Sequence, residues 1–219
     1  MNKKLKVPFA KQKDVLGCGP TTLSMVLNYF GEQENEEKIL KSLGGAFVNK
    51  RTKHAGTFCV ENALYARKLG YDVVCYTYNL DLFDPSSVNY SKNQLRKHIA
   101  KKIGEEKDKI NLRILKVYLD LIDSGVDFRV KMPSLAEYRK FIDRKLPVMV
   151  AVNSKIYRES DSSNNWSGHY IALTGYSSHH FYFNDPIDGK EHKISDEKLW
   201  FALSNNILGS SAYMVVISN

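Results

Sequence analysis

Apolar residues recur with the period of an α-helix through much of the first third of the chain. The first such run follows residues 17–20 and places apolar side chains at Leu23, Val26, Leu27 and Phe30. Gly31 ends the run, and helical spacing closed by a glycine predicts a helix. Two more helices are predicted over 35–43 and 57–69, the latter ending before Gly70.

The second half of the chain contains short apolar and β-branched runs that predict strands. These runs cover 71–78, 147–152, 170–174, 181–183 and 212–217. Helices are predicted between them over 134–145 and 195–205, and polar loops over 79–88 and 154–167. Helices that come first, followed by strands with short connections, are typical of an α+β fold. We therefore expect N-terminal helices packed on one mainly antiparallel sheet.

The segment 91–124 differs from its surroundings in charge. From Lys92 to Lys116 it has nine Lys or Arg residues against three Asp or Glu, in a chain whose formal net charge is +8. Its apolar spacing predicts two helices, the first strongly basic on its polar face. We interpret 1–219 as a single domain with a basic helical insertion at about 91–124. The segment lacks the interleaved aromatic residues of a base-stacking surface, which disfavours nucleic-acid binding.

Composition limits the remaining classes. A chain of 219 residues with 43% hydrophobic content is long enough for one sizeable core. Its three cysteines form no CxxC pair and no zinc-ligand spacing, so we expect neither a disulfide framework nor a metal site. We find no signal peptide and no membrane-spanning run, and we predict a cytoplasmic protein.

Cys18 occupies a chemically demanding position, between Gly17 and Gly19 at the start of the first predicted helix. Glycines allow a sharp turn and a close approach to substrate, and Pro20 suits a first helical turn. The positive end of the helix dipole stabilises a thiolate, and its free N–H groups can bind an oxyanion. The alternative is a buried structural cysteine, the commoner fate of a lone thiol.

His169 and Asp185 complete a candidate catalytic set. His169 follows Gly168 at the start of one predicted strand, and Asp185 ends the next, before Pro186. If these strands form an antiparallel hairpin, the start of one lies beside the end of the other, within reach of a base–orienter hydrogen bond. The alternatives are a structural histidine and a turn-forming Asp-Pro pair. His192 is assigned to a charged loop and not to the site.

Three further assignments concern the surroundings of the nucleophile. Gln12 lies six residues before Cys18, where its amide can complete an oxyanion hole. Gly17 and Gly168 flank the two reacting side chains and are candidate substrate-binding positions. Trp166 is a candidate lining residue, with a packed hydrophobic anchor as the alternative.

Together these residues resemble the papain-like family of bacteriocin-processing, double-glycine-leader cysteine peptidases and its stand-alone relatives. The resemblance rests on Gln12, Cys18-Gly19-Pro20, Gly168-His169-Tyr170, Thr174-Gly175-Tyr176 and Asn184-Asp185-Pro186, with Val7-Pro8-Phe9 and Leu146-Pro147-Val148 as weaker matches. It implies a papain-like fold with Cys18 as nucleophile, His169 as base, Asp185 as its orienter and Gln12 as oxyanion donor. Transporter-linked members continue into membrane and ATPase domains; this sequence shows neither, so we expect a stand-alone member.

The expected function is a cysteine peptidase that cleaves a peptide or amide bond through an acyl-thioester, with no cofactor and with a peptide or protein as partner. Two alternatives stay open. An acyl- or peptidyl-transferase would use the same thioester with another acceptor, and a peptide-binding module would use the groove without chemistry. The intact Cys–His pair argues against the binding module.

Overall fold

The computed structural model describes residues 2–49, 54–79, 82–158, 168–205 and 214–219. The α-helices in these ranges are α1 (Cys18–Tyr29), α2 (Glu36–Ser42), α3 (Cys59–Lys68), α4 (Lys92–Glu105), α5 (Lys109–Asp123), α6 (Leu135–Asp143) and α7 (Asp196–Ser204). The strands are β1 (Lys3–Lys4), β2 (Phe47–Asn49), β3 (His54–Gly56), β4 (Asp72–Thr77), β5 (Asp127–Val130), β6 (Val148–Asn153), β7 (Gly168–Tyr176), β8 (His180–Asp185), β9 (Lys190–Ser195) and β10 (Met214–Ser218). Two short 3₁₀-helices cover Pro85–Asn89 and Ser154–Ile156.

One twisted sheet organises the molecule. Its strand order is β5-β4-β10-β6-β7-β8-β9, with the short β1 paired to the far end of β7. All neighbours in this sheet are antiparallel except β4 and β5, which run parallel. A separate hairpin joins β2 to β3. The predicted α+β class and the mainly antiparallel sheet are confirmed.

Both faces of the central strands are buried, which explains their continuous apolar runs. In β6, Met149 and Ala151 belong to a core shared with α1, α3, α4 and α5, whereas Val148, Val150 and Val152 belong to a second core beneath α6 and α7. Since neighbouring residues of a strand point to opposite faces, one apolar segment serves both cores.

The two helices expected in the basic segment are confirmed as α4 and α5, and they pack into the first core. Their buried residues are Leu95, Ile99, Ile114, Leu115, Tyr118, Leu121 and Ile122. Arg113 of α5 binds the Glu61 carboxylate of α3 and the carbonyls of Leu43 and Gly45. These contacts tie the basic segment to the helices that follow the nucleophile in the sequence.

The assignment of His192 to a loop is wrong, because the residue lies in β9. Among the described residues this strand pairs with β8 alone, at the edge of the sheet, and its one buried residue is Ile194. A mostly polar edge strand lacks the apolar alternation that identifies strands in a sequence.

No helix in the described part of the chain combines the length and the apolar surface needed to cross a bilayer.

Candidate active site

Cys18 is the first residue of α1, with Gly17 as the N-cap. Because the first turn of a helix has no preceding carbonyls to bind, the amides of Cys18 and Gly19 point out of the helix end. The thiol is partly exposed. The nucleophile position expected from the sequence therefore has the positive helix end and the solvent access that thiolate chemistry requires.

The loop before Cys18 is built around a buried carboxylate, that of Glu36 at the start of α2. Glu36 accepts hydrogen bonds from the backbone N–H groups of Lys13 (2.6 Å) and Asp14 (2.9 Å) and from the Thr21 hydroxyl (2.9 Å). A Cβ atom on Gly17 would lie 2.2 Å from Glu36 Oε1. A side chain at position 17 would therefore displace the Glu36 carboxylate from its three donors. This gives Gly17 a structural role in addition to the substrate contact expected from the sequence.

His169 and Asp185 meet across the β7–β8 hairpin, as the antiparallel pairing predicts. His169 Nε2 lies 2.8 Å from Asp185 Oδ1, and both side chains are buried. A carboxylate only accepts, so Nε2 carries the proton of this bond and Nδ1 is left to face the nucleophile. Cys18 lies close enough to the ring to raise its pKa. The structure therefore brings Cys18, His169 and Asp185 together in one site.

Burial and the two partners act in opposite directions on His169. Burial lowers the pKa of the imidazole, but hydrogen bonds and charge interactions with Asp185 and Cys18 outweigh it and raise the pKa to about 9. Burial alone would raise the pKa of the Asp185 carboxyl; its hydrogen bond and charge interaction with His169 hold that pKa below its usual range. This arrangement favours an imidazolium beside a carboxylate at neutral pH.

Gln12 lies beside the same hairpin, since its backbone N–H donates to the Pro186 carbonyl (2.7 Å). Its side-chain Nε2 donates to the carbonyls of Asp14 (2.9 Å) and Val15 (3.3 Å). Oε1 is buried and makes no hydrogen bond with the described residues. The side-chain Nε2 of Gln12 thus stabilises the loop that leads to Cys18.

The other candidate positions have different outcomes. Gly168 begins β7 and pairs with Asn153 of β6, next to His169. Trp166 lies outside the described residues. Cys59 and Cys75 are free thiols buried in the first core. Among the described residues, no cluster of three or more His, Cys, Asp or Glu side chains is arranged to hold a metal ion.

The sequence interpretation missed three residues that build this site: Glu36, Tyr157 and Arg158. Tyr157 and Arg158 follow β6 and both contact Asp185. One signal was available for them. Because β6 and β7 are antiparallel, the residues that follow β6 lie beside His169 at the start of β7. Glu36 gave no comparable signal, since it reads as an ordinary acidic residue in a first helical turn.

A cysteine at a helix N-terminus beside a histidine–aspartate pair on an antiparallel hairpin is typical of papain-like cysteine peptidases. The model of the Peptidase_C39 like family matches residues 4–105 and 108–210, so the chain belongs to this family of cysteine peptidases. The recognition made from the sequence is confirmed. No curated protein sequence matches the chain.

Three solved structures are similar to the chain, and the first of them supports the fold. A crystal structure described as a C39-like peptidase from Bacillus anthracis superposes with a TM-score of 0.59 at 16% identity, covering 100% of this chain and 98% of the other. A double-glycine-motif protease from an AMS/PCAT transporter, solved with a leader peptide, gives 0.47 at 16% identity, covering 99% and 97%. The peptidase domain of Streptococcus ComA gives 0.46 at 15% identity, covering 97% and 96%.

Proposed function

We propose that this chain is a cysteine peptidase in which Cys18 attacks a peptide or amide carbonyl and His169 transfers the protons. The observation that carries the proposal is the position of the His169 ring, which binds Asp185 through Nε2 at 2.8 Å and lies close enough to Cys18 for the thiol to raise its pKa. The helix N-terminus stabilises negative charge on the Cys18 sulfur, and the Asp185 carboxylate stabilises positive charge on the His169 ring. A thiolate–imidazolium pair is the state that such an arrangement favours.

The reaction proceeds in two halves. The Cys18 thiolate bonds to the carbonyl carbon, and the tetrahedral oxyanion that forms collapses as the carbon–nitrogen bond breaks. His169 gives its Nδ1 proton to the leaving amine, which leaves an acyl-thioester on Cys18. A water molecule, deprotonated by His169, then attacks the thioester carbonyl, releases the acid and restores the thiol.

The oxyanion site is formed by the Cys18 amide and the Gln12 side chain. The amide is supported by its position in the first turn of α1. Gln12 Nε2 contributes one N–H by giving up the longer of its two loop contacts, the 3.3 Å bond to the Val15 carbonyl. Two donors on the developing charge are the usual requirement of such a site. Peptide or protein is the substrate class that follows from the family.

Rapid alkylation of Cys18 tests the proposal without a known substrate. The protein is treated briefly with limiting iodoacetamide at about pH 6, where an ordinary thiol is almost wholly protonated. We expect Cys18 to be labelled at least about tenfold faster than a free cysteine in solution, because its thiolate is stabilised. Intact mass and peptide mapping give the rate and the labelled position.

His169→Ala and His179→Ala form a matched pair of variants. Loss of the imidazolium in the first should remove the rate advantage of Cys18 over free cysteine. His179 is exposed in the turn between β7 and β8, at the opposite end of the hairpin, and its replacement should have no effect. If Cys18 of the wild-type protein is labelled no faster than free cysteine, the proposal is contradicted. If the pair is present, product analysis with peptide substrates, with and without added amine acceptors, distinguishes hydrolysis from acyl transfer.

The prediction of a cytoplasmic protein rests on the sequence and on the three thiols, which are all free.

A further inference from the structure

The Asp185 carboxylate is held by four donors, of which His169 is only one. Oδ1 accepts from His169 Nε2 (2.8 Å) and from the Ile187 backbone N–H (2.9 Å). Oδ2 accepts from Arg158 Nη2 (3.0 Å) and from the Tyr157 hydroxyl (3.2 Å). The Asp185 side chain is completely buried, so these donors replace the solvation that the carboxylate would have in water.

We propose that Tyr157 and Arg158 are positioning residues that clamp Asp185 Oδ2 and thereby hold Oδ1 on His169. The inference rests on the proposed function, because it assigns the two residues a role in the same reaction. A carboxylate bound through one oxygen can rotate about its Cβ–Cγ bond. Bonds to the second oxygen remove that freedom, as outer partners do for metal-bound histidines and carboxylates.

Both members of the clamp are themselves fixed. The Arg158 backbone N–H donates to the carbonyl of Ser154 (3.1 Å), the first residue of the 3₁₀-helix that follows β6. The Tyr157 ring packs edge-on against Phe183, with centroids 5.2 Å apart. Phe183 lies two residues before Asp185 on β8, so the clamp and the carboxylate share one rigid support.

Charge adds a second reason for an arginine at this position. Once His169 has given its proton to the leaving amine, the buried carboxylate lies beside a neutral ring. The Arg158 guanidinium then still supplies the opposite charge together with a directed hydrogen bond. Burial lowers the pKa of Arg158, but the Asp185 carboxylate more than compensates, so the guanidinium remains charged. Because Arg158 and Tyr157 bind Oδ2, Oδ1 stays available to the imidazole.

The test compares Cys18 alkylation rates across pH for Arg158→Met, Arg158→Lys and Tyr157→Phe. At about pH 6 we expect Arg158→Met to react roughly tenfold more slowly than wild type, the size expected for a lost charged hydrogen bond. The deficit should shrink as pH rises, because above about pH 9 any exposed thiol ionises without help. Lysine should restore part of the rate, and Tyr157→Phe should cost about twofold to threefold.

A double variant separates positioning from general support of the fold. If Arg158 acts through Asp185, adding Arg158→Met to Asp185→Asn should cause little further loss. Arg139→Met is the matched control, since Arg139 pairs with Asp196 at similar exposure and does not contact the site. It should leave the rate unchanged.

Three results would overturn the clamp: a wild-type rate in folded Arg158→Met, a loss additive with Asp185→Asn, or a deficit that does not vary with pH. If Arg158→Met does not fold, Arg158→Lys and Tyr157→Phe decide, and wild-type rates in both overturn it. A slow Cys18 in the wild-type protein would instead contradict the proposed function itself.

Discussion

At the scale of single residues, the protonation of His169 depends on three opposing influences. Burial favours the neutral ring, whereas Asp185 and Cys18 both favour the imidazolium and together raise its pKa to about 9. The two partners contribute from different elements, the hairpin and the α1 terminus. Their contributions are therefore separable by substitution.

Cys18→Ala should lower the pKa of His169, because it removes one hydrogen-bond partner and one source of negative charge while burial remains. In the wild-type protein we expect the imidazolium to persist until the pH rises through about 9. In the variant the ring should lose its proton at a clearly lower pH. NMR titration of isotopically labelled histidine side chains measures the shift.

Cys75→Ala is the control for this titration, since Cys75 is a buried thiol of β4 that does not interact with His169. The His169 signal should titrate there as in wild type. An unchanged His169 midpoint in Cys18→Ala would show that the thiol and the ring do not interact, contrary to the proposed pair.

At the scale of elements, the sequence predicted best where the apolar period was strong. The helix α1 and the strand β6 were predicted within a residue or two, because each has an uninterrupted apolar pattern. The edge strands β5 and β9 were not predicted, because they bury few side chains. The adjacency of His169 and Asp185 was predictable from antiparallel geometry alone.

Contacts between distant segments set the limit of that reasoning. Arg158 binds Asp185, and Glu36 binds the loop before Cys18. In both cases the partners are distant in the sequence and share no periodic pattern. Such contacts follow from the packed fold and not from periodicity. The same holds for Arg113, which joins α5 to α3.

Arg113→Met should destabilise the protein more than an ordinary surface substitution. Arg113 Nε and Nη2 both bind Glu61 Oε1 at 2.6 Å, and Glu61 is buried. Burial raises the pKa of the Glu61 carboxyl despite the arginine, so the unpaired carboxylate would be costly. We expect a loss of roughly 2–3 kcal/mol in the free energy of unfolding, towards the lower end for a broken buried pair because the guanidinium is partly exposed.

Urea denaturation followed by circular dichroism measures this loss. Adding Glu61→Gln should recover part of it, since the amide oxygen can still accept the Phe58 N–H without carrying charge. Arg96→Met breaks the exposed pair with Asp123 and should cost no more than about 1 kcal/mol. Equal losses for Arg113 and Arg96 would contradict the buried role of the first pair.

At the scale of the whole molecule, the site joins two layers of the fold. Cys18 begins a helix that packs on one face of the sheet, whereas His169 and Asp185 belong to the hairpin of the sheet itself. Thr22 of α1 donates its hydroxyl hydrogen to the Tyr170 carbonyl of β7 at 3.1 Å, one residue from His169. The thiol and the ring are therefore held together by the packing of α1 on the sheet.

Alkylation of Cys59 and Cys75 can report whether that packing is intact. Both are completely buried in the core shared with α1, and burial raises the pKa of both thiols, that of Cys59 well above its ordinary value. Neither the exposure nor the thiolate that alkylation requires is available in the folded state. We therefore expect iodoacetamide to label Cys18 alone in the native protein.

Pulsed alkylation along a urea series should then show Cys59 and Cys75 becoming reactive together, at the midpoint of the loss of helical circular dichroism. Because both thiols lie in the same core, which should unfold cooperatively, one transition is expected. The advantage of Cys18 over a free thiol should disappear at the same midpoint, because it depends on the same packing. Labelling of Cys59 before Cys75 would show that α3 separates from the sheet first, and the site would then depend on only part of the core.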